Sequence, residues 1–280
     1  MHAMIGDDTA VAAQLPFALR VANLHKAFGS LKVLQGVTLN IPRGQQMVIM
    51  GPSGCGKSVL LRSLIGLERI DRGEVHFGSQ RIDTLDELAL RPIRLRVGFL
   101  FQQSALFDSL SVRENVGFPL VEHGMVLDSE VDDRVHTMLR LVGLEDKLNE
   151  MPATLSGGQR KRVALARAIV LHPEVIMYDE PTTGLDPITA DLINELILKL
   201  ASELGITSVI VTHDLASAFK VGNRIVMLHD GVVRHEADTA SFGASSDPVV
   251  IRFLKGEANP EELAEINRGH GSDTTTATSA

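Results

Sequence analysis

The 280-residue chain contains no tryptophan, one tyrosine and one cysteine. A lone cysteine excludes a disulfide scaffold and fits a reducing compartment. No stretch approaches the roughly 18 consecutive apolar residues that a membrane-spanning helix needs. Lys and Arg number 27 against 35 Asp and Glu, and this acidic balance argues against a nucleic-acid-binding protein, which normally carries a basic patch. Nucleic acid is therefore not expected among the partners.

Apolar residues make up 44% of the chain, which is enough for a large aliphatic core. Residues 1–16 are predicted to be a flexible leader. They are not a secretory signal, because Asp7 and Asp8 stand where such a signal needs basic and then apolar residues. The end of the chain, from about 268, has few apolar side chains and is predicted to be disordered. These features predict a soluble, cytosolic, globular protein.

Short apolar runs without clean polar alternation follow one another along the chain. Such runs are typical of strands buried on both faces of a mainly parallel sheet. Two β-prone runs, 17–21 and 33–41, come first and are broken by Gly29 and Gly36. The predicted core strands are 46–50, 97–101, 175–178, 208–212 and 225–228.

The apolar spacing changes to three and four residues between Leu110 and Leu148, which indicates helices. The residues in this register are Val131, Val135, Met138, Leu139 and Val142. The sequence therefore predicts an α/β core that is interrupted by a helical insertion.

Residues 51–58 read Gly-Pro-Ser-Gly-Cys-Gly-Lys-Ser and match G-x-x-x-x-G-K-[ST] between a predicted strand and a predicted helix. Glycines let backbone N–H groups close around a phosphate, and the helix presents its positive end to that charge. Lys57 is predicted to reach the β- and γ-phosphates, and the Ser58 hydroxyl to ligate Mg²⁺. Cys55 is interpreted as a small residue that fills the loop, because no partner that could activate its thiol is visible.

Three polar residues stand at the ends of two later strands. Asp179 and Glu180 follow 175–178, and His213 follows 208–212. In one sheet, Asp179 would lie beside Ser58 and hold Mg²⁺ through water. Glu180 would then polarise the attacking water, and His213 is predicted to contact the γ-phosphate.

The segment Leu155-Ser156-Gly157-Gly158-Gln159 precedes a predicted helix. Ser156 is a good N-cap, and the two glycines bare the first N–H groups of that helix, which makes a second anion site. The basic triplet 160–162 is interpreted as a solvated helix face, because no aromatic platform for nucleic acid accompanies it.

Over residues 17–240 the chain resembles the ATP-binding-cassette (ABC) ATPases, with the motifs in that family's order. The resemblance implies a P-loop NTPase (RecA-like) fold with a mainly parallel core sheet, an antiparallel β-subdomain and an inserted helical subdomain at about 103–165. It implies an ATPase with ATP and Mg²⁺ as ligands.

The catalytic residues would be Glu180, His213 and Gln102, and the metal ligands Ser58, Gln102 and Asp179. Phe28 would stack on adenine, and the signature segment of one subunit would cover the nucleotide on the other. Nucleotide contacts are implied for Phe28, Gly51, Pro52, Ser53, Gly54, Cys55, Gly56, Lys57, Ser58, Val59, Ser156, Gly157, Gly158, Gln159 and Asp186.

Within that family, residues 100–120 and 246–256 resemble the Mla and Mce-associated lipid-transport ATPases. That resemblance implies a homodimer on the cytoplasmic face of the inner membrane, bound to a permease. An Mce-domain lipid-binding protein and a small accessory subunit would complete the assembly, which moves phospholipid between membranes. Leu106 and Phe107 are candidates to line the permease groove, or they are ordinary core residues. Val59 replaces the family's usual hydroxyl, and activity is expected to survive this change.

Two other functions stay open. A cassette ATPase for another cargo, such as an amino-acid importer or a cell-division complex, differs only in the two segments just named. A soluble cassette of translation or DNA repair usually fuses two cassettes or carries a long coiled coil, and this chain has neither. The predicted organisation is a leader at 1–16, an ATPase domain at 17–245 and a C-terminal extension at 246–280.

Overall fold

The computed structural model describes residues 17–124 and 127–258. The predicted leader and the predicted disordered end lie outside these residues. The strands are β1 (Phe17–Phe28), β2 (Leu31–Pro42), β3 (Gln46–Met50), β4 (Arg72–Phe77), β5 (Gln80–Arg81), β6 (Val97–Leu100), β7 (Val175–Asp179), β8 (Thr207–Val211), β9 (Arg224–His229) and β10 (Val232–Asp238). The α-helices are α1 (Lys57–Ser63), α2 (Glu87–Arg94), α3 (Val112–Glu122), α4 (Asp128–Leu141), α5 (Gly157–Ile169), α6 (Pro187–Leu204), α7 (Leu215–Val221), α8 (Thr239–Gly243) and α9 (Pro248–Lys255). Single 3₁₀ turns cover Glu145–Lys147 and Pro152–Thr154.

Six strands form the central sheet in the order β10-β9-β3-β8-β7-β6. The pairs from β9 to β6 are all parallel, and β10 adds one antiparallel edge. The predicted α/β class with a mainly parallel core sheet is confirmed. Every residue of β7 and β8 is buried, as the apolar runs without alternation predicted.

A second sheet of four antiparallel strands has the order β2-β1-β4-β5. β1 and β2 are both longer than their predicted runs. The prediction that Gly36 breaks the second run was wrong, since this glycine lies inside β2 with φ +94°. A Cβ at that position would approach Asn23 Oδ1 to 3.1 Å, so the close approach of β1 accounts for the glycine.

Apolar side chains of the central strands alternate between two cores, one on each face of the sheet. Val48 and Met50 of β3 pack into the core beneath α3 to α7, whereas Met47 and Ile49 pack into the core beneath α1 and the second sheet. This period of two is what a strand covered on both faces requires. Strands β4, β5 and β10 were not predicted, because charged and other polar residues interrupt their apolar runs.

The insertion between β6 and β7 contains α3, α4 and α5, which cover much of the first core. Ser111 caps α3 in a capping box with Glu114, so its start is specified locally. At the other end of the chain, α9 packs Val250 and Phe253 on the same core. No helix among residues 17–124 and 127–258 is long and apolar enough to cross a membrane.

Candidate functional site

The phosphate loop lies between β3 and α1, and close approaches dictate two of its glycines. A Cβ on Gly51, whose φ is +149°, would stand 2.1 Å from the carbonyl oxygen of Leu228 on β9. A Cβ on Gly56, with φ +101°, would stand 2.8 Å from Leu34 Cδ2. Gly54 also has a positive φ, +78°, but open space around it. The loop is therefore wedged between neighbouring strands, and glycine supplies conformations that other residues adopt at a cost.

Lys57, the first residue of α1, is buried, and its Nζ donates to the carbonyl oxygens of Gly51 at 2.8 Å and Pro52 at 2.9 Å. The ammonium thus stays within its own loop, where an incoming phosphate would meet it. Burial raises the pKa of the Cys55 thiol more strongly than the charge of Lys57 lowers it. A thiol with a raised pKa is a poor nucleophile, which agrees with the interpretation of Cys55 as a residue that fills space.

The structure brings Ser58 and Asp179 together as predicted. Ser58 Oγ donates to Asp179 Oδ1 at 2.8 Å, and Arg62 Nη2 lies 4.0 Å from Oδ2 of this carboxylate, which is 4% exposed. A hydroxyl and a carboxylate are the hard oxygen donors that Mg²⁺ prefers, and Mg²⁺ completes its shell with water and phosphate. In the described part of the chain no cluster of three or more His, Cys, Asp and Glu could hold a metal. The Ser58–Asp179 pair supplies two such oxygen donors, which fits Mg²⁺ bound together with phosphate and water.

Glu180 and His213 also meet, at the ends of β7 and β8. His213 Nδ1 lies 2.9 Å from Glu180 Oε2, and Thr183 Oγ1 donates to the same oxygen at 3.0 Å. Glu180 has φ +52°, a conformation that a non-glycine residue holds only where its surroundings require it. Its N–H donates to the Val211 carbonyl at 2.9 Å, which ties the turn to β8.

Gln102, which follows β6, is exposed, and its backbone carbonyl accepts a hydrogen bond from Lys161 Nζ. The interpretation of residues 160–162 as a solvated face was wrong for Lys161, which is 5% exposed. Burial lowers the pKa of this ammonium to about 8, although the nearby charges of Asp179 and Glu180 act to raise it. The reason for the error is position, since Lys161 lies on the same helical face as the buried residues Ala164 and Leu165.

The Ser156–Gln159 segment begins α5 with a capping box. Gln159 N–H donates to Ser156 Oγ at 3.3 Å, and Ser156 N–H donates to Gln159 Oε1 at 2.8 Å. Gly158 is buried, and a Cβ there would stand 2.4 Å from Thr189 Cγ2 on α6. Asp186 caps α6 and accepts hydrogen bonds from Ile188 and Thr189, so the two helix starts pack side by side. Among the described residues, no hydrogen bond or ion pair joins this segment to the phosphate loop.

Phe28, at the end of β1, has a ring that is 46% exposed, with Lys26 Nζ 4.8 Å from its centroid. A cavity of about 780 Å³ borders Pro52–Cys55 of the phosphate loop and is also lined by the start of β2, the β9–β10 turn and α9. Phe28 does not line that cavity. Its stacking on adenine stays a prediction.

Sequence reasoning missed three residues that contact the predicted site. Thr183 holds the Glu180 carboxylate, Arg62 approaches Asp179, and Lys161 holds the backbone of Gln102. Lys161 could have been found from its buried helical register. Arg62 carried no such signal, because the fold brings it near Asp179 from a distant part of the chain. Thr183 stands only three positions after Glu180, but its residue type alone does not indicate a contact with that carboxylate.

Comparison with known proteins decides the family. The family model described as "ABC transporter" matches residues 34–183, which include the phosphate loop, the Ser156–Gln159 segment and Asp179-Glu180. The chain belongs to the ABC transporter family. As an ABC ATPase subunit it takes ATP with Mg²⁺ and hydrolyses ATP.

The sequence relatives of this ABC ATPase carry different names. It is 41% identical over 239 residues to the "probable ribonucleotide transport ATP-binding protein mkl" of Mycobacterium leprae, covering 85% of this chain and 69% of that one. It is 38% identical to the chloroplastic protein "TRIGALACTOSYLDIACYLGLYCEROL 3" of Arabidopsis thaliana, covering 84% and 72%. The "methionine import ATP-binding protein MetN" of Brucella abortus is 35% identical, with 87% and 66% covered.

Solved structures agree with the fold. The ATP-binding cassette MJ0796, described as dimeric in a post-hydrolysis state bound to ADP and Pi, superposes with a TM-score of 0.73 at 38% identity. The superposition covers 79% of this chain and 98% of that one. CbiO1 from Clostridium perfringens, part of the complex cbiONQ, gives 0.76 at 30% identity, covering 90% and 99%.

Proposed function

We propose that this ABC ATPase acts as a homodimer that powers transport of phospholipid, or a related lipid, between the inner and outer membranes through a separate permease. The observation that carries the dimer is the separation of two anion-binding segments on one chain. The phosphate loop holds Lys57 and Ser58, while the Ser156–Gln159 segment packs against α6 and makes no polar contact with that loop. A second copy would supply the missing half, as in the neighbour described as dimeric.

The residues of the site divide the reaction between them. Lys57 and the N–H groups of the phosphate loop would bind and orient the β- and γ-phosphates. Ser58 and Asp179 would hold Mg²⁺, which neutralises phosphate charge when bound. Glu180, kept in place by Thr183 and His213, would accept a proton from the attacking water. His213 is half-exposed beside it and would donate a hydrogen bond to charge that develops on the γ-phosphate.

Mixed dimers test the composite site directly. Lys57→Ala on one subunit and Ser156→Arg on the other place both defects in the same composite site and leave the second site intact. Both substitutions on one subunit, paired with a wild-type partner, damage both sites. We expect the first mixed dimer to hydrolyse ATP and the second to be inactive. An inactive first dimer with an active second dimer would show that each chain hydrolyses ATP alone, and would overturn the proposal.

A groove beside α3 is the surface that we propose for the permease. Its volume is about 630 Å³, and Phe99, Phe101, Phe107 and Phe118 form its aromatic part. The ring centroids of Phe99 and Phe101 are 4.3 Å apart, and those of Phe107 and Phe118 are 4.7 Å apart. Leu106 is partly buried against the core and does not line the groove. The permease would meet Phe107 and not Leu106.

Several arginines lie around those aromatic rings. Arg91, Arg94 and Arg167 line the same groove, with Glu87 as its acidic residue. An amphipathic permease segment with acidic residues at its edges would match this charge. Such docking would place the ATPase on the cytoplasmic face of the inner membrane. In this proposal residues 17–245 are the ATPase domain, and residues 246–280 are a C-terminal extension.

The lipid cargo rests on two segments and one relative. Residues 100–120 and 246–256 resemble those of Mla and Mce-associated ATPases, and the relative from Arabidopsis carries a glycolipid in its name. The names of two other relatives point to ribonucleotide transport and methionine import. An amino-acid importer is therefore the second candidate, supported by the MetN match.

Affinity purification from detergent-solubilised membranes tests the cargo. The tagged full chain should bring down a permease and an Mce-domain protein, with a small accessory subunit as a further component, together with phospholipid enriched over the bulk membrane. Phe107→Asp, which puts a carboxylate among the groove's aromatic rings, should lose the permease and serves as the control. Recovery of an importer permease without lipid enrichment would contradict the lipid assignment while leaving the composite ATPase site untouched.

A further inference from the structure

One buried ammonium lies beneath the ends of two core strands. Lys161 Nζ donates to the backbone carbonyl of Gln102 and lies 3.4 Å from the carbonyl oxygens of Phe101 and of Glu180. Phe101 and Gln102 follow β6, whereas Glu180 follows β7. A single side chain on α5 therefore joins the segment of Gln102 to that of the proposed catalytic base.

The acceptors of this ammonium belong to irregular backbone. Glu180 has φ +52°, and Ser104 and Ala105, just beyond Gln102, have φ +64° and +47°. Such conformations persist only where the surroundings hold them. An ammonium offers three N–H donors, so it can bind three carbonyl oxygens that the strands leave behind. Lys161 is suited to hold both segments at once.

The helix that carries Lys161 is tightly seated on the sheet. A Cβ on Gly98 of β6 would stand 2.5 Å from the carbonyl oxygen of Ala168, so α5 lies directly against that strand. The same helix begins at Ser156, five positions before Lys161 in the printed sequence. A shift of the Ser156 end along the sheet would therefore move the Lys161 ammonium relative to the Glu180 carbonyl.

We propose that Lys161 is a positioning residue for ATP hydrolysis. It fastens α5 to the backbone of Gln102 and Glu180, so the placement of Glu180 depends on the position of α5 on the sheet. Lys161 does not act on the nucleotide, because its Nζ is directed at backbone carbonyls under the site. The inference rests on the role proposed above for Glu180.

Arg162 provides a matched control on the next position of the same helix. Its Nη1 donates to the carbonyl oxygens of Val142 at 3.1 Å and Gly143 at 3.2 Å, so it also holds backbone through a long cation. Those acceptors lie within the helical insertion and not in the proposed site. Loss of either cation removes a comparable set of hydrogen bonds, but only the loss of Lys161 would release Glu180.

The test compares Lys161→Met, Lys161→Gln and Arg162→Met in the full-length protein, with kcat and KM for MgATP and the melting temperature measured for each. Lys161→Met should lower kcat about 10- to 100-fold, because small displacements of reacting groups are costly, with KM changed by less than about threefold. Lys161→Gln, which keeps two donors, should recover part of kcat. Arg162→Met should leave kcat within about twofold of the wild type.

Three outcomes would overturn the inference. They are an unchanged kcat in folded Lys161→Met, a rise in KM without a fall in kcat, and an equal fall in kcat for Arg162→Met. Should Lys161→Met fail to fold, Lys161→Gln carries the same comparison with Arg162→Gln. Glu180→Gln, measured in parallel, separates the two proposals. If this variant keeps full ATPase activity, the role proposed for Glu180 is wrong. If Glu180→Gln loses activity but Lys161→Met does not, only the Lys161 inference is wrong.

Discussion

The phosphate loop and the Ser156–Gln159 segment both place glycine beside the start of a helix, yet their surroundings in the fold differ. Around the loop, side chains from separate strands already converge, with Ser58 on Asp179 and His213 on Glu180. Among the described residues no strand-end side chain hydrogen-bonds to the Ser156–Gln159 segment, whose side-chain hydrogen bonds form its own capping box. The polar side chains around the phosphate loop therefore contact one another within a single chain, whereas, in the described part of that chain, the Ser156–Gln159 segment has contacts of this kind only within its own helix start.

That difference follows from where each helix begins relative to the sheet. Helix α1 follows β3 through the phosphate loop, and β8 and β7 are the next strands of the sheet, so their ends bring polar residues to it. Helix α5 belongs to the insertion, and its start packs against the beginning of α6. A crevice at the carboxyl ends of parallel strands is a usual ligand site, and the start of α5 lies outside that crevice.

Among the variants, Glu180→Gln should have the largest effect on the part of the site around the phosphate loop. Loss of the proposed general base should lower kcat about 10²- to 10⁴-fold, while MgATP still binds. Steady-state hydrolysis and equilibrium nucleotide binding measure the two effects. Glu174→Gln is the control, because Glu174 pairs with Arg96 and Arg43 away from the site and should keep its turnover. Unchanged hydrolysis in Glu180→Gln would remove its assigned role.

Ser156→Arg tests the other side and should lower hydrolysis about 100-fold, because N–H donors to the γ-phosphate of the opposing subunit would be blocked. Ser111→Arg is matched to it, since Ser111 caps α3 through the same kind of capping box with Glu114. Both variants should lose similar stability, about 1 kcal/mol. Equal activity in the two would show that Ser156 serves only as a helix cap.

Ser58→Ala should raise the Mg²⁺ concentration that gives half-maximal hydrolysis by about tenfold, because one of two oxygen donors disappears. Titration of Mg²⁺ at fixed ATP measures this shift. Ser63→Ala, on the same helix, removes a hydroxyl that only donates to the Val59 carbonyl and should leave the Mg²⁺ requirement unchanged. Parallel shifts in both variants would argue against a metal ligand at Ser58.

Gly158→Ala tests the packing of the Ser156–Gln159 segment and should lower the free energy of unfolding by about 1–3 kcal/mol. The added methyl would collide with Thr189 Cγ2, which stands 2.4 Å from its position. Thr189→Ser removes that carbon and keeps the hydroxyl that donates to Asp186. Denaturant unfolding of the double variant should therefore recover most of the loss. If the double variant is no more stable than Gly158→Ala, the clash does not explain the glycine.

The motifs predicted much of the fold and of the candidate site because each motif consists of neighbouring residues that shape their own stretch of backbone. The phosphate loop, the strand before Asp179 and the N-cap Ser156 could each be read from a few consecutive residues. Lys161 could not be read in that way, because its acceptors lie about 60 and 19 positions away in the chain. The prediction of a strand break at Gly36 was wrong because the side chain that requires this glycine, Asn23, belongs to another strand.

The sequence by itself determined the phosphate loop, the family resemblance and the buried strands of the sheet, since apolar runs and glycine spacing are properties of neighbouring residues. Only the tertiary structure decided which side chains meet. It set Ser58 on Asp179, His213 on Glu180 and Lys161 under both segments, and it left Ser156 without a partner from the phosphate loop. Contacts of that kind depend on strand order and helix seating, and those are set by the packing of the two cores.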